Sequence, residues 1–471
     1  MDNMRFKCPS CGRVYDAGRV LSLCEYCYSP LIYFFEYSKI RESLSFLDVN
    51  SFWRYASLLP EVKQEFRISL GEGRTPLFKA SRFASILGLN NLFLKDESRN
   101  PTNSFRDRAA SLLVSHALSL NFREVVCASN GNLGAALAAY CARANIKGTI
   151  VVPRRVDIGK LAQMKMYGAN IIYNGETVDE AIRFVIEKFV GENFYPATSG
   201  LNPLIIEAQK TIAYEIVEQI GVPDYVVVPV GDGGSIYSLW KGFKEFYELG
   251  LSFKLPKMIG VQSSTCSPIV QAFERNSRIK RFEDGSTIAL AILVLEPLNG
   301  ELALSAIKES AGLALSVSDK EITEAQRILA LEEGVYAETA SCAAIAAVKK
   351  LSESGFLSKD DNITCIITGS GLKDQYLIAA LSGFSKNINL TDKVGLKLRI
   401  LRLISLGETY GYSLWNSLSK SVSLQAVYQH LSELEERGLI ISSERDNRKY
   451  YSITARGIRV LNALEELAFL L

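Results

Sequence analysis

One stretch decides the fold: residues 95–108, which read Lys-Asp-Glu-Ser-Arg-Asn-Pro-Thr-Asn-Ser-Phe-Arg-Asp-Arg. The apolar run Asn91-Leu92-Phe93-Leu94 precedes it and predicts a strand that leads into the stretch. Asn100-Pro101 predicts a turn, and Ser104 is placed to cap a helix that starts at Phe105. We therefore expect a polar loop between a strand and a helix, where functional sites concentrate.

Length and composition limit the possible domain count, partners and cellular location of the protein. At 471 residues it is too long for a single compact core, so two to four domains are expected. With 48% hydrophobic and 22% charged residues and a net charge of +2, nothing global points to nucleic acid or membrane, and any basic surface must be local. The chain lacks a long apolar run and an apolar signal-peptide core, so we expect a cytoplasmic protein.

Four of the nine cysteines lie in the first 27 residues as two Cys-x-x-Cys pairs. Cys8, Cys11, Cys24 and Cys27 have the spacing that brings four thiolates to the corners of a tetrahedron, as structural zinc requires. A segment this short would draw its folding free energy from the metal. A redox dithiol or unliganded thiols remain alternatives, whereas catalytic zinc is disfavoured because four cysteines leave no open position. We predict a zinc ribbon over residues 1–35.

From about residue 70, short apolar strands alternate with helical segments. The predicted strands cover residues 124–128, 148–153, 169–174, 224–231, 257–263 and 362–369. This alternation predicts an α/β fold, with parallel sheets flanked by helices. Ligands of such sheets bind at the carboxyl ends of the strands, where the glycine-rich turns of this chain should lie.

Three of these turns carry candidate site residues. Gly231-Asp232-Gly233-Gly234-Ser235 follows a strand and opens a helix, which suits a phosphate cradle, although a simple tight turn is the alternative. Ser129-Asn130-Gly131-Asn132 follows another strand, and an N-capped, closely packed helix would have the same sequence. The third turn, Thr368-Gly369-Ser370, follows the last strand of the series.

Together with residues 95–108, these turns resemble the motifs of the fold-type II pyridoxal-phosphate (PLP) enzymes, threonine synthases in particular. The resemblance covers roughly residues 70–380, including Glu338-Thr339-Ala340-Ser341. It implies two subdomains, with the PLP phosphate at residues 231–235 and Asn132 at the ring oxygen. It also implies that residues 129–131 receive a substrate carboxylate and that Thr368 or Ser370 contacts the pyridine nitrogen. Asp232 departs from the family pattern and places a carboxylate near the phosphate.

The decisive departure is Arg106. The family motif reads Asn-Pro-Thr-Gly-Ser-Phe-Lys-Asp-Arg, and its lysine carries PLP as an imine and later moves the substrate proton. Arginine is effectively never neutral in a protein, so Arg106 cannot form that imine. Asn103 and Ala109 also replace family glycines. Rescue by another lysine is the alternative, and the candidates are Lys95, Lys160, Lys165 and Lys210. We therefore assign no catalytic residue. We expect a cleft in which Arg106 binds a phosphate or a carboxylate as a bidentate donor.

The last eighty residues follow a different pattern. Three helical segments, a two-stranded hairpin and a closing helix from Ala455 predict a winged helix-turn-helix that resembles the PadR-like regulators. Helix three is expected to enter the major groove, capped by Ser423 and with His430 also facing outward. The predicted DNA contacts are Lys420, Ser423, Gln425, Tyr428, Gln429, Arg445, Arg448 and Lys449. A winged helix used only for dimerisation or docking is the alternative.

These features lead to one functional hypothesis and two alternatives. The chain is predicted to be a homodimeric transcriptional regulator with a zinc ribbon (1–35), a threonine-synthase-like domain (36–387) and a DNA-binding domain (388–471). The middle domain would sense PLP, bound non-covalently if at all, or an amino acid or a phosphorylated relative. The alternatives are an active PLP-dependent threonine synthase or lyase with another base, and a scaffold partner of a true threonine synthase.

Overall fold

The computed structural model describes residues 4–16, 23–41, 44–154, 156–189, 194–374, 390–405, 407, 409–418, 423–445, 448–458 and 460–461. The chain divides into two compact units, Met1–Leu377 and Ile378–Leu471. No helix among the described residues is long and apolar enough to cross a membrane.

The N-terminal segment forms a small antiparallel sheet. Its strands are β1 (Met4–Lys7), β2 (Val14–Asp16) and β3 (Ile32–Phe35), in the order β2-β1-β3, and helix α1 (Tyr37–Arg41) follows. Alternation along the strands buries Phe6, Tyr33 and Phe35. The Phe6 and Tyr33 rings lie 4.5 Å apart between centroids. Three aromatic side chains are a small core, so a metal would contribute much of the segment's stability.

The body of the first unit contains two sheets. Its strands are β4 (Leu77–Lys79), β5 (Asn91–Asp96), β6 (Glu124–Ala128), β7 (Lys147–Val152), β8 (Asn170–Tyr173), β9 (Tyr195–Pro196), β10 (Tyr225–Pro229), β11 (Lys257–Ser263), β12 (Leu313–Val317) and β13 (Asn362–Ile367). The six-stranded sheet has the order β12-β11-β10-β13-β5-β4, parallel except for β4, and the four-stranded sheet β8-β7-β6-β9 is parallel throughout. Strand β10, Tyr-Val-Val-Val-Pro, is buried at every position, as expected for a strand covered by helices on both faces.

Helices cover both sheets. They are α2 (Ser81–Ile86), α3 (Arg106–Ser119), α4 (Asn132–Ala144), α5 (Ile158–Met166), α6 (Val178–Phe189), α7 (Leu204–Gln209), α8 (Thr211–Ile220), α9 (Gly234–Glu248), α10 (Pro268–Glu274), α11 (Gly300–Glu309), α12 (Asp319–Glu333) and α13 (Thr339–Glu353). Short 3₁₀ helices cover Phe52–Leu58, Gln64–Phe66, Glu97–Arg99, Leu290–Ile292 and Gly371–Lys373. Helix α13 is rich in alanine and buried along most of its length, which lets it pack closely on the larger sheet.

All six predicted strands are present, with ends shifted by at most two residues, and the α/β fold is confirmed. The predicted cap at Ser104 is wrong. Helix α3 begins at Arg106 after Phe105, without a side-chain cap, and the buried Ser104 hydroxyl has no partner among the described residues. Thr102 instead donates its hydroxyl to the Asp107 carboxyl at 2.9 Å. Asn103 has a φ of 63°, so it occupies the left-handed region as glycine would.

The second unit has the elements of a winged helix. They are α14 (Leu390–Ser405), β14 (Thr409–Tyr410), α15 (Gly411–Ser417), α16 (Leu424–Glu436), β15 (Ile440–Arg445), β16 (Arg448–Ile453) and a helical stretch at 455–458 and 460–461. Strand order is β14-β16-β15. Ser423 caps α16, as predicted, by accepting a hydrogen bond from the Ala426 amide at 3.2 Å. Leu401, Leu414 and Leu431 lie in its apolar core.

Candidate functional site

One cleft in the first unit collects most of the predicted site residues. It is open to solvent, and its walls come from the residues that follow β6, β10 and β13 and from the start of α3. The predicted residues that line it are Arg106, Ser129, Asn130, Asn132, Gly231, Asp232, Gly233, Gly234, Ser235 and Thr368. Gly131 and Ser370 lie beside the cleft instead. A Cβ on Gly131 would lie 2.9 Å from Lys160 Cδ, and the Ser370 hydroxyl accepts from the Leu372 amide at 3.3 Å.

The glycine-rich loop before α9 presents open backbone amides. The six amides of residues 231–236 donate no hydrogen bond to any residue that the structure describes. Gly233 has a φ of 100°, and a Cβ there would lie 2.6 Å from the Asn299 carbonyl oxygen, so only glycine fits. Because these amides open a fifteen-residue helix, the helix dipole adds positive potential. The open amides and the helix dipole therefore make the loop chemically suited to an anion.

The carboxylate of Asp232 is occupied by nearby donors. It accepts hydrogen bonds from the Leu298 amide at 3.0 Å, from Asn299 Nδ2 at 2.6 Å and from the Ser199 hydroxyl at 3.1 Å. These bonds fix the side chain against the 298–299 segment. The departure from the family pattern at Asp232 thus has a structural use, and it leaves the open amides of the loop available.

The second loop, after β6, is held by its own side chains. The Ser129 hydroxyl accepts from the amides of Gly131 at 3.2 Å and Gly134 at 3.0 Å, which ties the loop to the start of α4. Asn130 Nδ2 donates to the Leu290 carbonyl at 3.3 Å. Asn132 Nδ2 donates to Glu338 Oε2 at 2.7 Å, whereas its buried Oδ1 has no partner among the described residues.

A buried ion pair stands behind this loop. The Lys160 ammonium contacts Glu338 Oε1, and both side chains are almost fully buried. Burial raises the pKa of Glu338, but the charge and hydrogen bond of Lys160, the charge of Lys373 and the hydrogen bond from Asn132 together lower it. Burial lowers the pKa of Lys160, whereas Glu338, Asp157 and Asp374 raise it by more. Both groups are therefore charged, and the carboxylate fixes the orientation of the Asn132 amide. The sequence identified the Glu338 motif but not this pairing.

The Thr368 side chain is held in position by Ser341, whose role the sequence did not predict. Ser341, in the first turn of α13, shares a hydrogen bond of 2.8 Å with the Thr368 hydroxyl. The Ser341 oxygen also accepts from the amides of Thr368 at 3.0 Å and Gly369 at 3.1 Å. Ser341 is the last residue of the Glu-Thr-Ala-Ser motif, and that motif could have identified it from the sequence. It holds the turn after β13 in place.

Arg106 is the first residue of α3 and lines the cleft, partly buried. Its guanidinium carbon lies 4.6 Å from the centre of the Phe105 ring. The guanidinium makes no hydrogen bond or ion pair with any described residue. Burial lowers the pKa of Arg106, and the charges of Asp232 and Glu338 oppose that shift. Arginine stays protonated through such shifts, so the cleft contains a cation without a paired counter-ion in the described part of the chain.

No lysine is among the described residues that line the cleft. The Lys95 ammonium is fully buried and donates to Glu215 at 2.7 Å. Lys210 is likewise committed to Glu207 at 2.6 Å, and Lys165 is exposed. Lys373 donates to the Thr102 carbonyl at 2.6 Å, and burial lowers its pKa to about 8. Each of these amines other than that of Lys165 already has a hydrogen-bond partner.

The four N-terminal cysteines converge as predicted. Their sulfur atoms all lie within 4.8 Å of one another, with Cys8 and Cys27 at 3.4 Å and Cys11 and Cys24 at 3.6 Å. Tetrahedral zinc, with Zn–S bonds of about 2.3 Å, places sulfurs roughly 3.8 Å apart. The cluster therefore fits zinc. The Tyr15 hydroxyl lies 3.0 Å from Cys24 Sγ, a contact that the sequence did not predict.

In the second unit, half of the eight predicted DNA contacts lie on the exposed face of α16 or at its N-cap. Ser423, Gln425, Tyr428 and Gln429 are exposed there, as is Arg445 at the end of β15. Lys449 is ion-paired with Glu435 at 2.8 Å. Lys420 and the Arg448 side chain lie outside the described residues. The expectation that His430 faces outward is wrong: it is buried beside Leu431 because it falls on the apolar side of the helix.

Comparison with known proteins agrees with both units. The pyridoxal-phosphate dependent enzyme family matches residues 68–369, and the PadR-like family of transcriptional regulators matches residues 400–463. Threonine synthase of Methanocaldococcus jannaschii is 40% identical over 405 residues, covering 84% of this chain and 99% of the relative. Threonine synthase of Methanosarcina acetivorans is 41% identical over 374 residues, covering 78% and 92%.

Solved structures give the same fold. Maize serine racemase superposes with a TM-score of 0.56 at 21% identity, covering 66% of this chain and 92% of the racemase. The processed form of threonine deaminase isoform 2 from Solanum lycopersicum superposes with a TM-score of 0.55 at 22% identity, covering 69% of this chain and 90% of the deaminase. The chain therefore belongs to the pyridoxal-phosphate dependent enzymes, with threonine synthases among its relatives and a C-terminal domain of the PadR-like family of transcriptional regulators.

Proposed function

We propose that the protein is a transcriptional regulator in which the PLP-enzyme domain binds a small ligand without turning it over. Ligand binding then changes the affinity of the winged helix for DNA. The observation that carries this proposal is Arg106, a permanent cation where the family has a lysine, in a chain that also carries a PadR-like domain. The proposed boundaries stay at 1–35, 36–387 and 388–471.

The cleft fits PLP in part. The open amides of residues 231–236 suit its phosphate, and Thr368 and Asn132, which line the cleft, would contact its ring. When bound in this family, PLP supplies an electron sink for reactions of amino acids. The covalent anchor is what does not fit, since the described lining contains no amine. PLP would therefore bind here as a ligand that exchanges with solvent.

Replacing the lysine by arginine removes two functions. A guanidinium does not become a neutral nucleophile, and it does not act as a general base near neutral pH. A positioned general base is worth roughly 10² to 10⁴ in rate. Arg106 instead offers a bidentate donor to an anion, which favours binding over turnover.

The winged helix supplies the output of the proposed regulator. Gln425 and Gln429 are exposed on α16, and amide side chains at such positions can read base edges in the major groove. Because Lys449 is ion-paired with Glu435, part of the wing's charge is neutralised, and we expect moderate, salt-sensitive affinity. A homodimer would contact two half-sites of an operator.

The test is a fluorescence-anisotropy titration of the full chain on DNA from its own upstream region, at low and moderate salt. PLP, L-threonine, O-phospho-L-serine and inorganic phosphate are added in turn. We expect at least one compound to shift the DNA affinity several-fold, and the Arg106→Gln variant to lose that shift. A Gln425→Ala, Gln429→Ala double variant should lose sequence preference but keep ligand binding. Absence of DNA binding at low salt, or a response unchanged in Arg106→Gln, would contradict the proposal.

An active threonine synthase is the second candidate, because relatives of that name are about 40% identical over most of this chain. Lys373, whose pKa burial lowers to about 8, is the amine to test in place of the missing lysine. Borohydride reduction in the presence of PLP, followed by mass spectrometry of peptides, separates the two candidates. A modified lysine peptide would support the enzyme, and an unmodified chain would support the regulator.

A further inference from the structure

We propose that the four N-terminal cysteines are an oxidation site, at which a peroxide joins cysteines of opposite Cys-x-x-Cys pairs and releases zinc. Cys11 would attack the peroxide, and Cys24 would close the first disulfide. The loss of zinc would then loosen the contacts between the N-terminal sheet and a cluster of four buried charges in the first unit. This inference goes beyond the proposed function, since it needs neither a ligand in the cleft nor DNA.

Exposure identifies the sulfur that an oxidant reaches first. All nine cysteines are among the described residues, and none of them forms a disulfide. Cys11 is exposed, Cys27 is half-buried and the other seven cysteines are buried. A zinc-bound cysteine is held as the thiolate, and thiolates react with an oxidant in the order of their accessibility. Cys11 is therefore the sulfur that a peroxide meets.

The positions of the sulfur atoms identify the partner of Cys11. Its Sγ lies 3.6 Å from Cys24 Sγ, and Cys8 Sγ lies 3.4 Å from Cys27 Sγ. Each of these contacts joins the first Cys-x-x-Cys pair to the second. A disulfide brings its two sulfurs to about 2.05 Å, so the sulfurs of each contact have to approach by roughly 1.5 Å. The structure therefore favours Cys11–Cys24 and then Cys8–Cys27 over disulfides within either pair.

The reaction balances with one peroxide for each disulfide. The Cys11 thiolate attacks a peroxide oxygen, the O–O bond breaks, and Cys11 becomes a sulfenic acid as hydroxide leaves. The Cys24 thiolate then attacks Cys11 Sγ, forms the S–S bond and displaces a second hydroxide. The two sulfurs lose two electrons and the peroxide gains them. Zinc leaves because its ligands are thiolates, and two remaining thiolates are too few for a structural site.

The N-terminal sheet covers a charge cluster made of Glu207, Lys210, Lys241 and Glu245. Each lysine pairs with both glutamates at 2.6–2.9 Å, and all four side chains are at most 7% exposed. The centre of the Phe35 ring, on β3, lies 4.3 Å from Lys210 Nζ and 4.7 Å from Lys241 Nζ. Buried ion pairs depend on the exclusion of water, which Phe35 provides on this side.

Strand β3 connects this cover to the cysteines. It begins at Ile32, which is paired with Lys7, the residue before Cys8. Just beyond its end, the Tyr37 hydroxyl donates to the Glu245 carboxylate at 3.0 Å. Because the core of the segment has only three aromatic side chains, it cannot absorb both the loss of the metal and the movement of the sulfurs. The disturbance therefore reaches α9, which carries Glu245.

The experiment treats the zinc-loaded full chain with hydrogen peroxide. A chromogenic chelator measures released zinc, and peptide mass spectrometry after alkylation maps the disulfides. Hydrogen–deuterium exchange measures the protection of residues 204–248. We expect zinc release to accompany the Cys11–Cys24 disulfide, and amide exchange in 204–248 to become several-fold faster. Dithiothreitol with added zinc should reverse both changes.

Three variants separate the steps. Tyr37→Phe removes the hydrogen bond to Glu245, so it should speed amide exchange in α9 several-fold while zinc stays bound. Tyr28→Phe is its matched control within the segment, since Tyr28 is 75% exposed, and it should change neither readout. Cys141→Ala removes a buried sulfur outside the segment and should leave the rate of zinc release unchanged.

Any of four results would overturn the inference. Three concern the sulfur chemistry: zinc that stays bound in peroxide, a disulfide within either Cys-x-x-Cys pair, or oxidation of Cys11 to a sulfinic acid without a disulfide. The fourth concerns the charge cluster: amide exchange in residues 204–248 that is the same in the oxidised and the zinc-loaded chain.

Discussion

Asp107, directly after Arg106, offers the sharpest test of the electrostatics beneath the cleft. Its carboxyl is fully buried, and Oδ2 accepts from the Thr102 amide at 3.1 Å and the Thr102 hydroxyl at 2.9 Å. Oδ1 is buried without a partner among the described residues. Burial raises the pKa of Asp107 from 3.8 to about 7, and the hydrogen bonds from Thr102 and the charge of Lys373 only partly offset it. The perturbation is Asp107→Asn, which keeps the shape and removes the charge.

The direction in which stability changes with pH follows from comparing the pKa of Asp107 in the folded and unfolded chains. Because the folded pKa lies above the unfolded value, the folded state holds the proton more tightly, and stability falls as pH rises from about 4 to about 7. A pKa shift of this size corresponds to a total change of about 4 kcal/mol in the free energy of unfolding. Roughly 2 to 3 kcal/mol of that change occurs between pH 5 and 8. Asparagine does not titrate, so the variant should lose that part of the pH dependence.

The assay is urea unfolding of the full chain at several pH values from 5 to 8, with the variant compared with wild type at each pH. Asp374, whose pKa burial also raises to about 7, contributes a slope to both proteins and cancels in the difference. Lys373 titrates at the upper end of this window, at about 8, which is why the window stops there. Exposed Asp284→Asn is the matched control. Parallel stability curves for Asp107→Asn and wild type would refute the reasoning.

Three further predictions concern the other sites. Arg106→Lys should acquire a violet-absorbing, borohydride-reducible adduct with PLP that wild type lacks, because it restores an amine to the cleft; a colourless variant with bound PLP would contradict this. Wild type should contain zinc by metal analysis. Cys24→Ser should lose that zinc and unfold the N-terminal segment, whereas Tyr15→Phe, which removes only the 3.0 Å contact to Cys24, should keep the metal. Gly411→Ala places a Cβ 2.5 Å from the Tyr428 ring and should destabilise the second unit by about 1 to 3 kcal/mol, measured by thermal unfolding. Adding Tyr428→Ala should reverse most of that loss. Purely additive losses of stability would count against the contact.

The sequence predicted the strands and the cleft because both depend on local patterns. Runs such as Tyr-Val-Val-Val-Pro in β10 are apolar throughout, as a doubly covered parallel strand requires. The glycine-rich turns after β10 and β13 meet because the carboxyl ends of parallel strands in one sheet lie at the same edge, and the turn after β6, in the four-stranded sheet, lines the same cleft. Strand β12 was not predicted, since Leu-Ala-Leu-Ser-Val at the edge of its sheet is only partly buried and its pattern is weak.

Contacts between distant residues could not be predicted in the same way. The Lys160–Glu338 pair joins residues 178 positions apart, and no local pattern specifies which buried lysine meets which carboxylate. Ser104 looked like a helix cap because capping is judged from a few neighbouring residues, but the chain reaches α3 through Phe105 in a helical conformation. The prediction that His430 faces solvent was wrong for a related reason. On a short helix, a difference of one position determines whether a side chain lies in the core or in solvent.

The arrangement around Arg106 favours a ligand site over a scaffold. Two residues further on, Arg108 is fully buried and pairs with Glu97 at 2.7 Å and Glu215 at 2.6 Å, so the start of α3 is firmly anchored. A domain used only for docking would have no need for six open amides, an unsatisfied Asn132 oxygen and a lone guanidinium in one cleft. Such groups destabilise a fold unless solvent or a ligand satisfies them. A ligand that satisfies them would stabilise the folded domain by RT ln(1 + [L]/Kd). The part of this free energy by which the ligand prefers one folded state of the domain over another is what a sensor can pass on to its DNA-binding unit.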